Sequence, residues 1–324
     1  MFFLKSLNHV NKLSNSIKNV ISVRYYRPRR ALMYVPGDSS RKLTKAFNLD
    51  VDCIAMDCED GVAMNKKDEA RETIRNILNH EKVIVKRDFD RAVRVNCIGS
   101  GLCEEDLKAL LTAKFLPDTV LLPKVESVEH IQWFAEKVNA LIKGNGNVDF
   151  VIFIENPIGL INSHQICRAA VDLAQTGKFT PSSIVFGSDD FCAALGATRS
   201  EDGVELLYAR QKTVLIAKAF NLQAIDRVHI EFKDLIGLRK YCEQGARMGY
   251  TGKQVIHPDQ VPIVQEAFLP SKTQFEWATG LLTAFNEYQK KGAGAFVYKG
   301  AMIDKPTMKQ AQNIVDVYES TKNA

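Results

Sequence analysis

The chain has 324 residues, 46% of them hydrophobic and 25% charged, enough to bury a full core, and no apolar run approaches the roughly 20 residues that cross a bilayer. Its net charge of +5 is concentrated at the start: residues 1–30 hold seven Lys or Arg and no acid, and subtracting those seven leaves 36 basic against 38 acidic residues, a net of −2. A near-neutral body excludes a general binder of nucleic-acid phosphates. The leader, MFFLKSLNHVNKLSNSIKNVISVRYYRPRR, interleaves bulky apolar residues with Lys, Ser and Asn. It reads as a mitochondrial transit peptide over residues 1–30, outside the fold, with a basic surface tail as the alternative. The seven cysteines include no CxxC pair; Cys53, Cys97 and Cys192 read as small core residues of a protein kept in a reducing compartment.

From residue 31 a short apolar run and a helical stretch alternate. The runs are Ala31–Val35, Cys53–Asp57, Ala92–Asn96, Thr119–Pro123, Phe150–Glu155, Ser183–Gly187, Ala224–Ile230 and Lys253–His257. Several lack alternation, as strands of a parallel sheet buried on both faces do. The helical patterns include Lys66–Leu78, Glu104–Ala113, Ser127–Ile142, Leu206–Ala219 and Leu235–Met248. This order predicts a (β/α)8 barrel over residues 31–264. A doubly wound open sheet is the rival, weakened by the lack of GxGxxG after the first strand. Residues 265–324 exceed what a barrel needs. Gln265–Lys291 reads as one or two amphipathic helices with Trp277, Leu281, Leu282 and Phe285 on one face, followed by a Gly-rich stretch and a helix over Pro306–Tyr318.

The C-terminal strand ends, where such barrels carry their chemistry, are polar: Asp57-Cys58-Glu59-Asp60, Arg94 and Asn96, Lys124 and Glu126, Glu155-Asn156, Asp189-Asp190 and His257. So many carboxylates in one ring repel unless a cation offsets them. Glu155 and Asp190 on adjacent strand ends offer hard oxygen ligands suited to Mg²⁺, which binds one or two carboxylates and keeps water or substrate oxygens. Taken singly, each carboxylate also reads as a loop cap.

The strings RALMYVPGDSSRKLTKA, DCIAMDCEDGVAMNKKDEAR, RVN, LPKVES, FIEN, FGSDDF and GKQVIHPDQ, in that order and with GAFVYKGAMIDKP in the tail, resemble the citrate lyase β-subunit-like family of acyl-CoA lyases within the HpcH/HpaI aldolase superfamily. The resemblance runs from about residue 30 to the C-terminus. It implies Mg²⁺ at Glu155 and Asp190, and Arg94 on the substrate's reacting oxygens. It places Tyr34, Arg41, Lys45, Ile256 and His257 along the CoA site, and makes Asp304 a catalytic aspartate delivered by a neighbouring subunit of a homo-oligomer, a trimer. Two departures stand out: Arg41 where the family often has Lys, and GSDDF where relatives read GGEDF or GTEDF.

The activity implied is Mg²⁺-dependent carbon–carbon cleavage of a β-hydroxyacyl-CoA such as (3S)-citramalyl-CoA, giving acetyl-CoA and a 2-oxoacid, pyruvate, in the mitochondrial matrix. A malyl-CoA thioesterase or a malate or β-methylmalate synthase is the alternative, and a non-catalytic CoA-binding subunit a further one. Individual residues also have plainer readings. Asp304 before Lys305-Pro306 suits a helix cap, His257 a packed strand-end histidine, and Lys124 an ion-pair partner of a neighbouring carboxylate. Asp57, Glu59, Asp60 and Glu126 suit supporting roles.

Overall fold

The structure, a computed structural model, describes residues 27–80, 89–290 and 296–322. Eight parallel strands close into a barrel: β1 (Ala31–Pro36), β2 (Cys53–Asp57), β3 (Asp90–Arg94), β4 (Thr119–Leu122), β5 (Val148–Ile154), β6 (Phe179–Phe186), β7 (Gln223–Asp226) and β8 (Gly252–Val255). Each pairs with its sequence neighbour, and β8 returns to β1 through Leu32↔Gln254. Around them run α1 (Ser40–Ala46), α2 (Lys67–Asn79), α3 (Cys103–Leu111), α4 (Val128–Leu141), α5 (Pro157–Leu173), α6 (Ser188–Leu195), α7 (Leu207–Ala219), α8 (Leu235–Met248) and α9 (Gln260–Ala267). The strand runs read from sequence all occur, with shifted ends. The third starts earlier, at Asp90, and the seventh stops at Asp226 because the chain leaves the sheet there.

Period-two alternation sorts the strand residues into two apolar layers. Leu32, Cys53, Ala55, Ala92, Leu121, Val151, Phe153, Val185 and Ile225 fill the barrel interior. Met33, Ile54, Val93, Val120, Phe150, Ile152, Ile184 and Val255 face the helices. Both faces are buried, so the strands read as continuous apolar runs. Carrying the alternation past the apolar layer puts Tyr34, Asp57, Arg94, Glu155 and Gln254 inside the C-terminal mouth.

At the opposite mouth, alternation brings Asp90, Thr119, Asp149, Ser183 and Gln223 inward, and Arg29 plugs the opening. Its guanidinium donates to Asp90, to Thr119 Oγ1 at 2.9 Å and to Asp149 at 2.6 Å, and its backbone N–H donates to Gln223 Oε1 at 3.2 Å. Arg30 pairs with Asp52 through Nε at 2.9 Å and Nη2 at 2.7 Å, and Arg27 lies 3.4 Å from Asp90. Residues 27–30 are therefore built into the fold, which corrects the exclusion of residues 1–30 as a whole. Three of the arginines counted with the leader neutralise buried acids at the barrel floor. The rest of that leader lies outside the described residues.

α9 packs on the barrel, placing Val261, Val264 and then Phe268 in its core, so the core runs past the expected boundary at residue 264. Beyond Pro270, α10 (Lys272–Lys290), the hairpin β9 (Phe296–Tyr298)–β10 (Ala301–Ile303) and α11 (Lys305–Lys322) share a separate cluster of Ala278, Leu281, Ile303, Met308, Ala311 and Val315. Trp277, Leu282 and Phe285 pack against it. The hairpin lies in the stretch read from sequence only as Gly-rich. Its turn residues Lys299 and Gly300 have φ of 48° and 83°, and a two-residue turn with both φ positive matches the twist of paired strands. Among the described residues no helix is long and apolar enough to cross a membrane. All seven cysteines are unpaired; Cys97 is half-buried and the other six are buried.

Candidate active site

Asp57, the last residue of β2, organises one side of the C-terminal mouth. Its Oδ1 and Oδ2 accept from the backbone N–H groups of Glu59 at 2.8 Å and Gly61 at 2.9 Å, folding the loop back on the strand end. The same two oxygens accept from Arg94 Nε and Nη2, both at 2.7 Å. Glu59 Oε2 lies 2.9 Å from the third guanidinium nitrogen, and the guanidinium carbon sits 4.4 Å from the centre of the Tyr34 ring. The Tyr34 hydroxyl donates to Gln254 Oε1 at 2.9 Å, and Gln254 in turn donates to the backbone oxygens of Phe186 and Asp226. Arg94 is thus a buried, fixed cation. Its charge-assisted fork with Asp57 is of the strong, directional kind.

Lys124 follows β4 with φ of 54°, a left-handed conformation that a non-glycine residue holds only where its surroundings require it. Here they do. Its backbone N–H donates to Glu155 Oε2 at 2.8 Å while its Nζ donates to Glu59 Oε1 at 2.9 Å. The ion-pair role read for Lys124 from sequence is the one seen, and its amine is held above its ordinary range by Glu59 and Asp60 against the opposing effect of burial.

Glu155 directly follows β5, and Asn156 then caps α5 by accepting from Gly159 N–H at 2.8 Å, with Pro157 opening the helix. Glu126 takes the Asn156 side-chain amide at 2.6 Å, a loop-anchoring role. Asp190 lies in the first turn of α6, where the helix dipole favours a carboxylate. Gly187, between β6 and α6, leaves the space that Glu155 occupies: a Cβ there would lie 2.4 Å from Glu155 Oε1. Burial, and then repulsion from Glu59 and Asp190, push the Glu155 carboxyl up to about 8. Asp190 is raised as well, chiefly by burial, against the pull of Lys124. A buried carboxylate beside two others fits a hard divalent cation held by Glu155 and Asp190, with the remaining positions left to water or substrate oxygens.

The other candidate residues lie on α1, just after β8 and, for Asp304, in the tail between β10 and α11. Arg41 and Lys45 are exposed one turn apart on α1 and make no ion pair among the described residues. Ile256 is exposed and His257 half-buried, its ring stacked on Phe232 at 4.8 Å. Gln260 Oε1 accepts from both their backbone N–H groups, at 2.9 and 3.2 Å. Asp304 is exposed and caps α11, accepting from Thr307 N–H at 3.0 Å and Oγ1 at 2.7 Å; those bonds hold its carboxyl below the usual range. Sequence reasoning missed Gln254 and Gln260. A glutamine inside the strand run Lys253–His257 was the only signal for Gln254.

A family model described as HpcH/HpaI aldolase/citrate lyase matches residues 30–258. The chain belongs to that family. It is similar to the human mitochondrial citramalyl-CoA lyase, 48% identical over 301 residues that cover 92% of this chain and 87% of that protein. A (3S)-malyl-CoA thioesterase of Cereibacter sphaeroides is 33% identical over 277 residues, covering 86% of this chain and 90% of the relative. Among solved structures, the Mycobacterium tuberculosis CitE protein in complex with magnesium, acetoacetate and coenzyme A superposes with a TM-score of 0.69 at 28% identity, covering 90% of this chain and 98% of that one. The segment matched to the HpcH/HpaI aldolase/citrate lyase family begins at Arg30, which pairs with Asp52 at the barrel floor, and ends at Pro258, just past β8.

Proposed function

We propose that this chain is a magnesium-dependent carbon–carbon lyase of the mitochondrial matrix that cleaves (3S)-citramalyl-CoA to acetyl-CoA and pyruvate. The observation that carries the reading is the meeting of Glu155, Asp190 and the locked Arg94 at one barrel mouth, in a chain 48% identical to a citramalyl-CoA lyase. Glu155 and Asp190 would hold the magnesium, which would supply Lewis-acid stabilisation of the negative charge that develops on the substrate.

The chain's own residues supply the rest. Arg94 presents a preorganised positive charge to the reacting oxygens, and Asp57, Glu59 and Tyr34 keep it from turning away. Lys124 holds Glu155 in place through its backbone N–H. As the bond between the hydroxyl carbon and the adjacent methylene breaks, the hydroxyl proton passes to the ionised Asp304 carboxylate, the hydroxyl carbon becomes the carbonyl of pyruvate, and the bond's electron pair stays on the methylene carbon as the enolate of acetyl-CoA. Asp304 of a neighbouring subunit delivers a proton to that carbon, and takes one from it in the reverse direction. Exposed Arg41 and Lys45 attract the CoA phosphates, Ile256 and His257 line the CoA chain, and Tyr34 sits at its reacting end.

Supply from a neighbour is supported by the tail's separate cluster and by the exposure of Asp304 with Val297 and Met302 beside it. The assembly is a homo-oligomer, a trimer in this reading. The test is release of both products from citramalyl-CoA by the purified chain, with Mg²⁺ and with EDTA. Mg²⁺-dependent formation of pyruvate and acetyl-CoA in step is expected. The C. sphaeroides relative favours one second reading, a malyl-CoA thioesterase; malate release from malyl-CoA without cleavage of citramalyl-CoA would replace the lyase with it.

Two further results follow from Glu155. Its carboxyl is raised from 4.5 to about 8 in the fold, so between those values the folded state holds a proton that the unfolded state lacks. Stability of the cation-free protein therefore falls as pH rises through that window. A cation requires ionised Glu155, so Mg²⁺ affinity is expected to climb with pH up to about 8 and level off above it. Calorimetric titration with Mg²⁺ across the window checks this, and a flat profile would remove Glu155 as a ligand. Gly187→Ala is expected to weaken Mg²⁺ binding by about tenfold or more while the circular dichroism spectrum is unchanged, because the added Cβ displaces the Glu155 carboxylate.

A further inference from the structure

Between the strand layer and the helices, where β7 and β8 face α8, lies a cavity of about 410 Å³ lined by Arg199, Arg227, His229, Lys240, Tyr241 and Lys253. None of these residues has a part in the site described above. Gln254 points into the barrel, so Lys253 beside it points outward, into this space.

The charges here do not balance. Asp226 is fully buried and already engaged: Arg210 donates to it through Nε at 3.0 Å and Nη2 at 2.7 Å, and the Arg227 backbone N–H donates at 2.8 Å. Lys253 is 0% exposed, and its Nζ, 3.9 Å from Asp226 Oδ2, has no hydrogen-bond partner among the described residues. Arg227 is 3% exposed, and its guanidinium makes no ion pair among the described residues. It lies 5.1 Å from the centre of the Tyr241 ring, with its tip against Gly203.

The acids that line the cavity sit at its rim. Glu231 is largely exposed, 3.7 Å from His229 Nδ1; exposed Asp234 caps α8 through Gly237 N–H; and Glu201 is exposed with its carbonyl taken by the Tyr241 hydroxyl. Arg199, near the mouth, is paired with Asp189. Among the described residues, the floor therefore holds three buried cations, Arg210, Lys253 and Arg227, against the single buried carboxylate of Asp226, an excess that is unfavourable unless further negative charge completes it. Burial depresses both Lys253 and Arg227 from their ordinary values, the response of cations short of a counter-charge.

We propose that this cavity binds a small molecule through a dianionic oxyanion group, a phosphate or a dicarboxylate, with Lys253 and Arg227 as its two charged donors. Two cations at the floor match a charge of about −2, a guanidinium suits the planar fork of an oxyanion, and the volume leaves room above the anion for a small organic body closed in by Tyr241 and Lys240.

The test is calorimetric titration of the full chain with inorganic phosphate and, separately, with succinate. Saturating CoA is present throughout, so that the exposed Arg41–Lys45 pair is occupied. Saturable uptake of one anion per chain is expected; tighter phosphate assigns a phosphorylated ligand and tighter succinate a dicarboxylate. Lys253→Met and Arg227→Gln should each weaken that uptake by about tenfold or more, the scale of one charge-assisted hydrogen bond. Arg41→Ala with Lys45→Ala should leave it unchanged. Lys253→Met removes a buried cation that has no hydrogen bond and leaves Asp226 its fork from Arg210, so it is expected to fold about as well as the parent. Absence of uptake of either anion at millimolar concentration overturns the proposal, as does uptake that disappears in the Arg41–Lys45 variant and survives in Lys253→Met.

Discussion

Asp304→Ala is expected to lower the turnover of citramalyl-CoA by ~100-fold or more, the scale of a general acid–base group, while Mg²⁺ and CoA-ester binding stay near the parent values. The local structure makes a second substitution necessary. Asp304 caps α11 through Thr307, so alanine removes a cap worth about 1 kcal/mol together with the carboxylate. Asparagine keeps a cap oxygen and removes only the acid–base function. Turnover lost in both variants assigns catalysis to the carboxylate; turnover lost in alanine and kept in asparagine reduces Asp304 to a cap. The hydrogen bonds from Thr307 hold the carboxyl low, which suits proton abstraction in the condensation direction at neutral pH. Supply from a neighbour has its own test. Mixed oligomers of Asp304→Asn and Arg94→Met chains should regain activity that neither has alone, because one chain supplies an intact tail and the other an intact barrel mouth. No recovery on mixing would place the tail over its own barrel.

Arg29→Ala is expected to destabilise the fold by about 3–5 kcal/mol, the scale of breaking a buried ion pair from one side. Asp90 is 0% exposed and Arg29 1% exposed. Removing the guanidinium leaves Asp90 with Thr119 and the partly exposed Arg27 as its remaining side-chain partners, and Asp149 without its cation. A chain started at residue 31 loses Arg27 and Arg30 as well, and should melt lower still than one started at residue 27. Urea unfolding of the two truncated chains and of Arg29→Ala measures this directly. Equal midpoints for the two starts would show that the arginine plug contributes nothing.

Much of this was legible in the residues themselves. The eight strands and most of the barrel helices follow from runs and periodicities contained within a dozen residues, and the polar strand ends follow from where each run stops. Glu155 and Asp190 could be picked out because their positions depend only on strand order, which a right-handed β/α repeat fixes. The β9–β10 hairpin was also local but hidden, since its strands are three residues each and the glycines around it obscure the alternation.

What the tertiary structure alone decided involves partners far apart in sequence. Tyr34 meets Gln254 across 220 positions, Arg29 meets Gln223 across 194, and Lys124 meets Glu59 across 65. Each contact exists only once the barrel has closed, when segments far apart in sequence bring their residues to one mouth of it. Closure turned arginines that resemble targeting sequence into a buried plug, and set Arg94 between Asp57 and Tyr34. It also left Lys253, Arg227 and Arg210 buried around the one carboxylate of Asp226. Local sequence sets which way each side chain points, and the closed barrel sets what it meets there.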